Sequence, residues 1–330
     1  MIDLTTKYLG ITIKNPLIVG SSGLSSSVED IKKLESNGAA AVVLKSIFEE
    51  EILLEANARI KEAETDKMMY TELSETFDYV DMHVKEDKLS KYLKLVVDTK
   101  KEVLIPVIAS INCTTPYEWT DFAVKLQDAG ADALELNIFL NPVDLSDKDF
   151  EQTYLDIVNK VLSRVSIPVS VKISPYFTKP GLIIKKLSET GIGGIVLFNR
   201  SYTPDIDIDS FEVKSANIYS NADDQGNVLR WIALMSKKVK CDLAASTGIH
   251  SGEAAVKQIL AGACVVQIVS VLYQEGLEQI NVMLNYIEDW MTKKGYNYIS
   301  QFKGKVSQEG IKDPAAFERM QFMKYFSGIE

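Results

Sequence analysis

A repeated unit in the hydrophobic pattern organises this chain. In each copy a helix-like stretch ends at a glycine, one or two small residues follow, and a short apolar run then ends in polar residues. The unit occurs at residues 38–45, 130–137, 191–199 and 262–270. Short apolar runs are typical of buried parallel strands, and glycine readily takes the left-handed conformation that ends a helix. The repetition therefore predicts alternating strands and helices.

Apolar runs of similar length lie between these units. They occupy residues 17–20, 105–110, 167–172 and 241–246, which brings the predicted strands to eight. Amphipathic helices fit the intervals at about residues 28–37, 117–129, 151–164, 179–190, 226–238, 252–260 and 278–294. Eight strands alternating with helices predict an α/β fold, a (β/α)8 TIM barrel, with an open doubly wound sheet as the alternative.

Two stretches fall outside the alternation. Residues 4–13 carry threonines around Gly10 and predict an N-terminal β-hairpin that closes the floor of the barrel. Residues 48–89 are too long for a simple connection, and we interpret them as an insertion with a charged helix-like piece followed by an irregular segment. Such an excursion is typical of a lid or substrate loop, although a surface insertion packed on its own aromatics fits equally well. We expect one domain over residues 1–330.

Charge and composition narrow the possible functions. The 36 Lys+Arg against 46 Asp+Glu give a net charge of -10, which argues against nucleic acid and anionic lipid as partners. No apolar run reaches the roughly 18 residues of a membrane span, so we expect a soluble, cytoplasmic protein. The three cysteines are far apart and there are two histidines, so we expect no disulfide framework and no metal site. An organic cofactor, carboxylates or lysine must supply the chemistry.

Polar residues at the ends of the predicted strands are the candidate site. Because the carboxyl ends of barrel strands open on one face, their side chains converge on a ligand. Amides, lysines and small hydroxyls predominate at these ends: Ser21, Ser22, Gly23, Lys45, Ser46, Asn112, Asn137, Lys172, Asn199, Arg200, Ser246, Thr247, Gly248 and Ser270. Such a set can hydrogen-bond a planar heterocycle, and the last two strand ends offer backbone N–H groups to a phosphate. The set predicts FMN.

Several motifs resemble a known family. They are N-P-L-I-V-G-S-S-G, L-K-S, P-V-I-A-S-I-N, A-G-A-D-A-L-E-L-N, I-P-V-S-V-K-I-S-P-Y-F and L-F-N-R. Together they resemble the class 1 dihydroorotate dehydrogenase family of FMN-containing (β/α)8 barrels, and its dihydroorotate dehydrogenase-like branch most. The family is also related to the pyrimidine-reducing half of dihydropyrimidine dehydrogenase. The resemblance covers nearly the whole chain.

The resemblance implies roles for individual residues. Ser22, Gly23, Lys45, Ser46, Asn137 and Lys172 would line the flavin. Asn199 would face both flavin and substrate, and Lys45 and Asn137 would join it in substrate binding. The loop of Ser246, Thr247 and Gly248, together with Ser270, would hold the phosphate. Homodimers are common in the family, so a homodimer with a small-molecule substrate is expected.

This chain departs from the family at the catalytic base. After the matching asparagine the family has Leu-Ser-Cys-Pro-Asn, whose cysteine takes a proton from dihydroorotate while hydride passes to the flavin. Here the run reads Ile-Phe-Leu-Asn-Pro, so Leu140 replaces the base, and losing a base typically costs about 10²- to 10⁴-fold in rate. Cys113 is the first alternative candidate for the base, and the further candidates are one of Glu49, Glu50 and Glu51, or Tyr202 or Asp205. The family's substrate-loop signature and its paired phosphate-loop glycines are also missing.

These observations lead to one leading hypothesis and two alternatives. The leading hypothesis is an FMN-dependent oxidoreductase acting on a pyrimidine-like substrate, with dihydroorotate oxidation to orotate as the first reaction to consider. The first alternative is a Schiff-base lyase or aldolase that uses Lys172 or Lys45. The second is a flavin-binding protein without turnover, which the leucine at position 140 motivates.

Overall fold

Short strands and longer helices alternate along the chain. The computed structural model describes residues 2–49, 73–113, 118–140, 149–200, 203–314 and 317, with side chains from residue 87 onward in the second range. The strands are β1 (Thr6–Tyr8), β2 (Ile11–Ile13), β3 (Leu17–Val19), β4 (Ala41–Val43), β5 (Ile47–Phe48), β6 (Val107–Asn112), β7 (Ala133–Asn137), β8 (Val169–Ile173), β9 (Gly194–Leu197), β10 (Pro204–Asp207), β11 (Glu212–Ser215), β12 (Asp242–Ser246) and β13 (Val265–Ile268).

Eight of these strands form a closed parallel barrel. The order around the barrel is β3, β4, β6, β7, β8, β9, β12 and β13, and β13 pairs with β3 to complete the circle. Aliphatic side chains fill both the barrel and the layer between strands and helices. The predicted (β/α)8 barrel is confirmed.

The helices surround the barrel. They are α1 (Val28–Ser36), α2 (Leu73–Glu102), α3 (Glu118–Asp128), α4 (Phe150–Leu162), α5 (Pro180–Ser188), α6 (Gln225–Met235), α7 (Gly252–Ala261), α8 (Ser270–Glu275) and α9 (Gln279–Lys294). Side-chain caps begin three of them, since Ser27, Asp149 and Ser251 each accept a hydrogen bond from the backbone N–H three residues later. No helix in the described part of the chain is both long enough and apolar enough to cross a membrane.

The insertion at about 48–89 falls largely outside the described residues, but its last part corrects an expectation. Residues 73–102 form one continuous helix, α2, whereas the sequence pattern predicted an irregular segment there. Residues 73–102 contain neither glycine nor proline, so nothing in the backbone interrupts the helix. The aromatic residues of this segment follow no clear helical period, so the sequence pattern did not predict the helix.

A hairpin lies at the amino end of the barrel. Strands β1 and β2 pair antiparallel, and the turn between them has positive φ at Leu9 and Gly10. Tyr8, Leu9 and Ile13 are buried against residues inside the barrel, such as Val196. The barrel interior near the amino ends of the strands is therefore filled with apolar side chains. The buried polar side chains of the strands lie above it: Ser110, Glu135, Asn137, Ser170, Lys172, Ser246 and Gln267.

A second hairpin follows β9 and has no counterpart in the sequence reading. Strands β10 and β11 pair antiparallel over four residues each. Their apolar side chains face outward, so the hairpin adds nothing to the barrel core; the exposed ones are Ile206, Ile208, Phe211 and Val213. The chain then returns to the barrel before α6 and brings residues 215–220 to the carboxyl end.

Candidate active site

A cavity of about 420 Å³ opens at the carboxyl ends of the strands. Most of the residues that line it have polar side chains, and among the described ones there is no aspartate or glutamate. Six residues predicted to bind the cofactor lie on this wall: Lys172, Asn199, Ser246, Thr247, Gly248 and Ser270. They come from β8, from the last residue of β12, from the loops after β9 and β12, and from the start of α8. The carboxyl-end location agrees with the rule for barrels of this kind.

Two amides and a lysine form one end of the site. Asn137 is the last residue of β7 and stands opposite Lys172 in the parallel register of β7 and β8. Asn199 Nδ2 donates a hydrogen bond to Asn137 Oδ1 over 2.8 Å. Asn137 and Lys172 are both 8% exposed, so their polar atoms reach little solvent. The structure thus brings together three of the residues predicted to contact a flavin ring.

Lys172 is also linked to buried groups beneath it. Its Nζ donates to Gln267 Oε1 over 3.1 Å and lies 4.0 Å from Glu135 Oε1. Gln267 Nε2 donates to Glu135 Oε2 over 2.6 Å. The sequence reading missed both partners. Both strands could have revealed them, because each carries one polar residue inside an otherwise apolar run, A-L-E-L-N and V-V-Q-I. In both strands that residue faces the barrel interior.

The other end of the site is built from close backbone approaches. Thr247 and Gly248 both have positive φ, and a Cβ added to Gly248 would stand 2.2 Å from the backbone nitrogen of Gln225. Ser270 Oγ accepts a hydrogen bond from the Ser220 N–H over 3.0 Å. Small residues and a glycine are therefore required where these segments meet.

A histidine and an arginine hold the segment that precedes α6. Ser220 Oγ and His250 Nε2 are hydrogen-bonded over 2.9 Å. Burial lowers the pKa of His250, and the carboxylates of Asp224 and Glu275 oppose that effect. Arg200 donates to the backbone oxygens of Asn217 and Ile218, so it fastens the returning chain to the cavity rim; the bond to Asn217 measures 2.6 Å. Ser220 and His250 were not among the predicted site residues.

Lys45 and Ser46 line a neighbouring cavity of about 270 Å³ between β5 and α2. Ser21, on the wall of the first cavity, joins the two, because Ser21 Oγ lies 3.0 Å from Ser46 Oγ. Ser46 Oγ in turn lies 2.7 Å from Ser110 Oγ. The structure places Lys45 in a different cavity from Lys172, with a chain of hydroxyl groups between them.

The remaining predicted residues line neither cavity. Ser22 Oγ donates to the Gly20 oxygen, and Gly23 leaves room for the hydroxyl of Tyr273, 2.8 Å from where a Cβ would stand. Asn112, half-buried, ends β6. Cys113 is 1% exposed and belongs to the hydrophobic core, against which Leu140 also packs. Within the described residues, no thiol lines the cavity and no three His, Cys, Asp or Glu side chains cluster as a metal site.

The fold and the cavity define a (β/α)8-barrel protein with a cavity at the carboxyl ends of its strands. The family model described as dihydroorotate dehydrogenase matches residues 3–291, so the chain belongs to the dihydroorotate dehydrogenase family. The resemblance inferred from the motifs is confirmed.

Several relatives align with almost the whole chain. The catalytic subunit of dihydroorotate dehydrogenase B (NAD(+)) from Thermoplasma volcanium is 28% identical over 317 residues, covering 92% of this chain and 98% of that protein. The corresponding subunit from Pyrococcus horikoshii is 27% identical, covering 91% and 97%. The dihydroorotate dehydrogenase (fumarate) of Lachancea kluyveri is 24% identical, covering 92% and 98%. The relatives are dehydrogenases of more than one electron-acceptor type.

Proposed function

We propose that this protein is an FMN-dependent oxidoreductase that moves hydride between the flavin and a small pyrimidine-like substrate, with dihydroorotate to orotate as the leading reaction. Membership of the dihydroorotate dehydrogenase family supports the class of reaction. The observation that carries the proposal is the shared cavity wall, on which Lys172 and Asn199 lie with the loop at Thr247 and Gly248. Bound FMN supplies the two-electron chemistry.

The residues present fit FMN. A cavity of about 420 Å³ is within the usual range of small-molecule sites, and its described lining carries no carboxylate that would repel a phosphate. Lys172, Asn137 and Asn199 would hold the ring through an ammonium group and two amides. The hydroxyls and backbone N–H groups of the opposite end would hold the phosphate; these come from Ser220, Ser246, Thr247, Gly248 and Ser270.

The substrate would extend from the ring toward the neighbouring cavity. Lys45 lines that cavity, and the Ser21 and Ser46 hydroxyls connect it with the first. We place Lys45 with Asn137 and Asn199 in substrate binding, because an ammonium and two amides suit a carboxylate and carbonyl groups. Ser22, Gly23 and Asn112 stay predicted cofactor contacts.

The absence of a base at Leu140 sets an expectation for the rate. Leu140 has no ionisable atom, and Cys113 packs in the hydrophobic core rather than on the cavity wall. The described residues therefore bring no thiol to the substrate. We expect wild-type protein to oxidise dihydroorotate slowly, since a positioned base typically contributes about 10²- to 10⁴-fold.

The test begins with the absorption spectrum of the purified protein. We expect a flavin spectrum, release of FMN on denaturation, and slow bleaching when dihydroorotate is added without oxygen. A colourless protein that takes up no added FMN would contradict the cofactor assignment. Sedimentation of the same sample tests the predicted homodimer.

A thiol introduced at the family's base position sharpens this test. Leu140→Cys is expected to raise the rate of flavin reduction by dihydroorotate about 10²-fold or more. Leu140→Ala is the matched control, because it also removes side-chain volume but supplies no base. If neither variant is faster than wild type, position 140 does not face the reacting carbon.

Flavin binding without turnover is the second candidate function. The replacement of the base by Leu140 and the burial of Cys113 favour it. It predicts a flavin spectrum that no pyrimidine bleaches, in wild type or in Leu140→Cys.

The Schiff-base alternative requires a neutral lysine amine as nucleophile. Lys172 Nζ instead lies 4.0 Å from Glu135 Oε1, which is the geometry of an ion pair. Borohydride trapping of a carbonyl compound on Lys172 would support this alternative.

A further inference from the structure

A buried polar chain runs from the cavity into the barrel. Glu135 is 0% exposed, and its two oxygens have different surroundings. Oε2 accepts the hydrogen bond from Gln267 Nε2, whereas Oε1 has no hydrogen-bond partner among the described residues and lies 4.0 Å from Lys172 Nζ. Glu135 and Gln267 are 132 residues apart in sequence and meet because β7 and β13 face each other inside the barrel.

The carboxylate of Glu135 determines which atom Gln267 presents to the cavity. An amide has a donor end and an acceptor end. Because the NH₂ group of Gln267 donates to Glu135 over 2.6 Å, a short bond to a charged acceptor, its oxygen points toward Lys172. Lys172 then donates to that oxygen over 3.1 Å. A reversed amide would set an NH₂ group against the ammonium.

The side chains of Glu135 and Lys172 are close enough to form a buried ion pair, with 4.0 Å between Oε1 and Nζ. A carboxylate removed from water is costly unless a cation or hydrogen-bond donors compensate it. Lys172 supplies the positive charge, at 8% exposure, and both Lys172 and Gln267 line the cavity, whereas Glu135 lies beneath them. The ammonium is thus held at the cavity floor with an anion directly below it.

We propose that Glu135 is a positioning residue that acts on the bound flavin through Gln267 and Lys172. The inference rests on the proposed function, because it assumes that FMN occupies the cavity. Charge close to the ring tunes the electronics of a flavin. Glu135 offsets part of the positive charge of Lys172, and Gln267 fixes where that charge stands. The buried pair therefore sets the midpoint potential of the flavin, and the oriented amide contributes to FMN affinity.

The midpoint potential of FMN-loaded Glu135→Gln is the primary measurement. Without the anion, the full positive charge of Lys172 acts on the ring and favours reduction. We expect the ratio of reduced to oxidised flavin at a fixed ambient potential to rise at least tenfold, which is about 30 mV for a two-electron couple. A purely structural role for Glu135 would lower stability without moving the potential. A change of less than twofold would overturn the proposal.

A double-mutant cycle shows whether Glu135 acts through Lys172. In Lys172→Met there is no ammonium whose charge Glu135 could offset, so Glu135→Gln has lost its proposed route to the ring. At saturating FMN we expect that second substitution to shift the ratio less than twofold. If the tenfold change persists without Lys172, Glu135 acts directly on the ring and the proposed route is wrong.

Two further variants test the linking amide. Gln267→Met has a side chain of similar length without an oriented acceptor, and we expect it to weaken FMN binding about tenfold. Ser170→Ala is the control, because Ser170 is equally buried on β8 but bonds to the Leu134 oxygen. Its FMN affinity and potential should match wild type. Equal affinities of Gln267→Met and wild type would remove Gln267 from the proposal.

A wrong cofactor assignment can be distinguished from a wrong role for Glu135. If wild-type protein binds no FMN, that function is wrong, and the pairing of Glu135 with Lys172 is then measured on thermal unfolding of the same four proteins of the cycle. We expect the two single substitutions to be non-additive, since each leaves the other charge unpaired. Additive effects would overturn the pairing as well.

Discussion

The two ends of the barrel are built in different ways. At the amino end, short turns repeat the same order of helix, glycine and strand, and the hairpin of β1 and β2 packs against side chains inside the barrel. At the carboxyl end the described loops differ from one another, and this end carries the hairpin of β10 and β11, the start of the helix α2 and the cavity. In barrels of this kind the amino end serves stability and the carboxyl end holds the ligand, and the proposed function assumes the same division here.

Single side chains also differ in what they do at each end. At the amino end, Asp132 Oδ2 accepts the Val107 N–H over 2.7 Å and Asp242 Oδ2 accepts the Leu9 N–H over 2.9 Å, so carboxylates satisfy the backbone. At the carboxyl end, Lys172 and Asn199 face a cavity. Substitutions at the two ends should separate stability from ligand binding.

Glycines give the largest expected difference between the ends. Gly248, at the carboxyl end, combines φ +76° with a 2.2 Å clash for an added Cβ, so Gly248→Ala is expected to cost about 3 kcal/mol or more of unfolding free energy. Gly191, at the amino end, has φ +100° but open space, so Gly191→Ala isolates the backbone cost of about 1–2 kcal/mol. Urea unfolding of both variants measures the difference. Equal losses would show that the loop at Gly248 relaxes freely.

The lysine on the cavity wall gives the next largest effect. Lys172→Met removes a hydrogen bond to a charged group worth about 1.5–3 kcal/mol, so FMN should bind about 10- to 100-fold more weakly. Fluorescence titration of the apoprotein with FMN measures the change. The matched variant is Lys125→Met, which removes an exposed lysine paired with Asp121 on α3 and should leave FMN affinity unchanged. Equal affinities of Lys172→Met and wild type would exclude a contact between Lys172 and the flavin.

At the amino end, Asp132→Ala should change stability alone. The substitution leaves the Val107 N–H without its acceptor and removes the ion pair with Lys100, at 2.7 Å, so we expect a loss of about 1–2 kcal/mol. Asp132→Asn keeps an acceptor oxygen and should lose less. Chemical unfolding tests the stability, and FMN titration should show no change. Weaker FMN binding by Asp132→Ala would show that the amino end affects ligand binding as well as stability.

The smallest effect concerns His250. Because burial lowers its pKa, the folded chain resists protonation while the unfolded chain takes up a proton near pH 6.5. The contribution of neutral His250 is therefore complete above about pH 6.5 and is lost as the pH falls through the lowered pKa. His250→Gln removes this loss, so its Tm should fall less than that of wild type between pH 7 and pH 5. Parallel Tm profiles would show that the folded and unfolded pKa values are alike.

Much of the amino end and part of the carboxyl end follow from local sequence. The glycine that ends the helix in each repeated unit has a positive φ, and at Gly130 and Gly191 this requirement is visible in the local sequence alone. The polar residues that end the strands were likewise visible, because a parallel strand places its last residues at the carboxyl face. The hairpin after β9 and the helical course of residues 73–102 were missed, because exposed or scattered apolar residues carry no clear period.

The sequence by itself therefore determined the alternating barrel, the family, and which strand ends carry polar groups. Only the tertiary structure decided which of these groups meet: Asn137 with Asn199, Glu135 with Gln267 and Lys172, and Lys45 in a separate cavity. The reason is geometric. Local pattern specifies that a residue points into the barrel, but the register of eight strands determines its height and neighbours, and that register is set by the closed sheet as a whole.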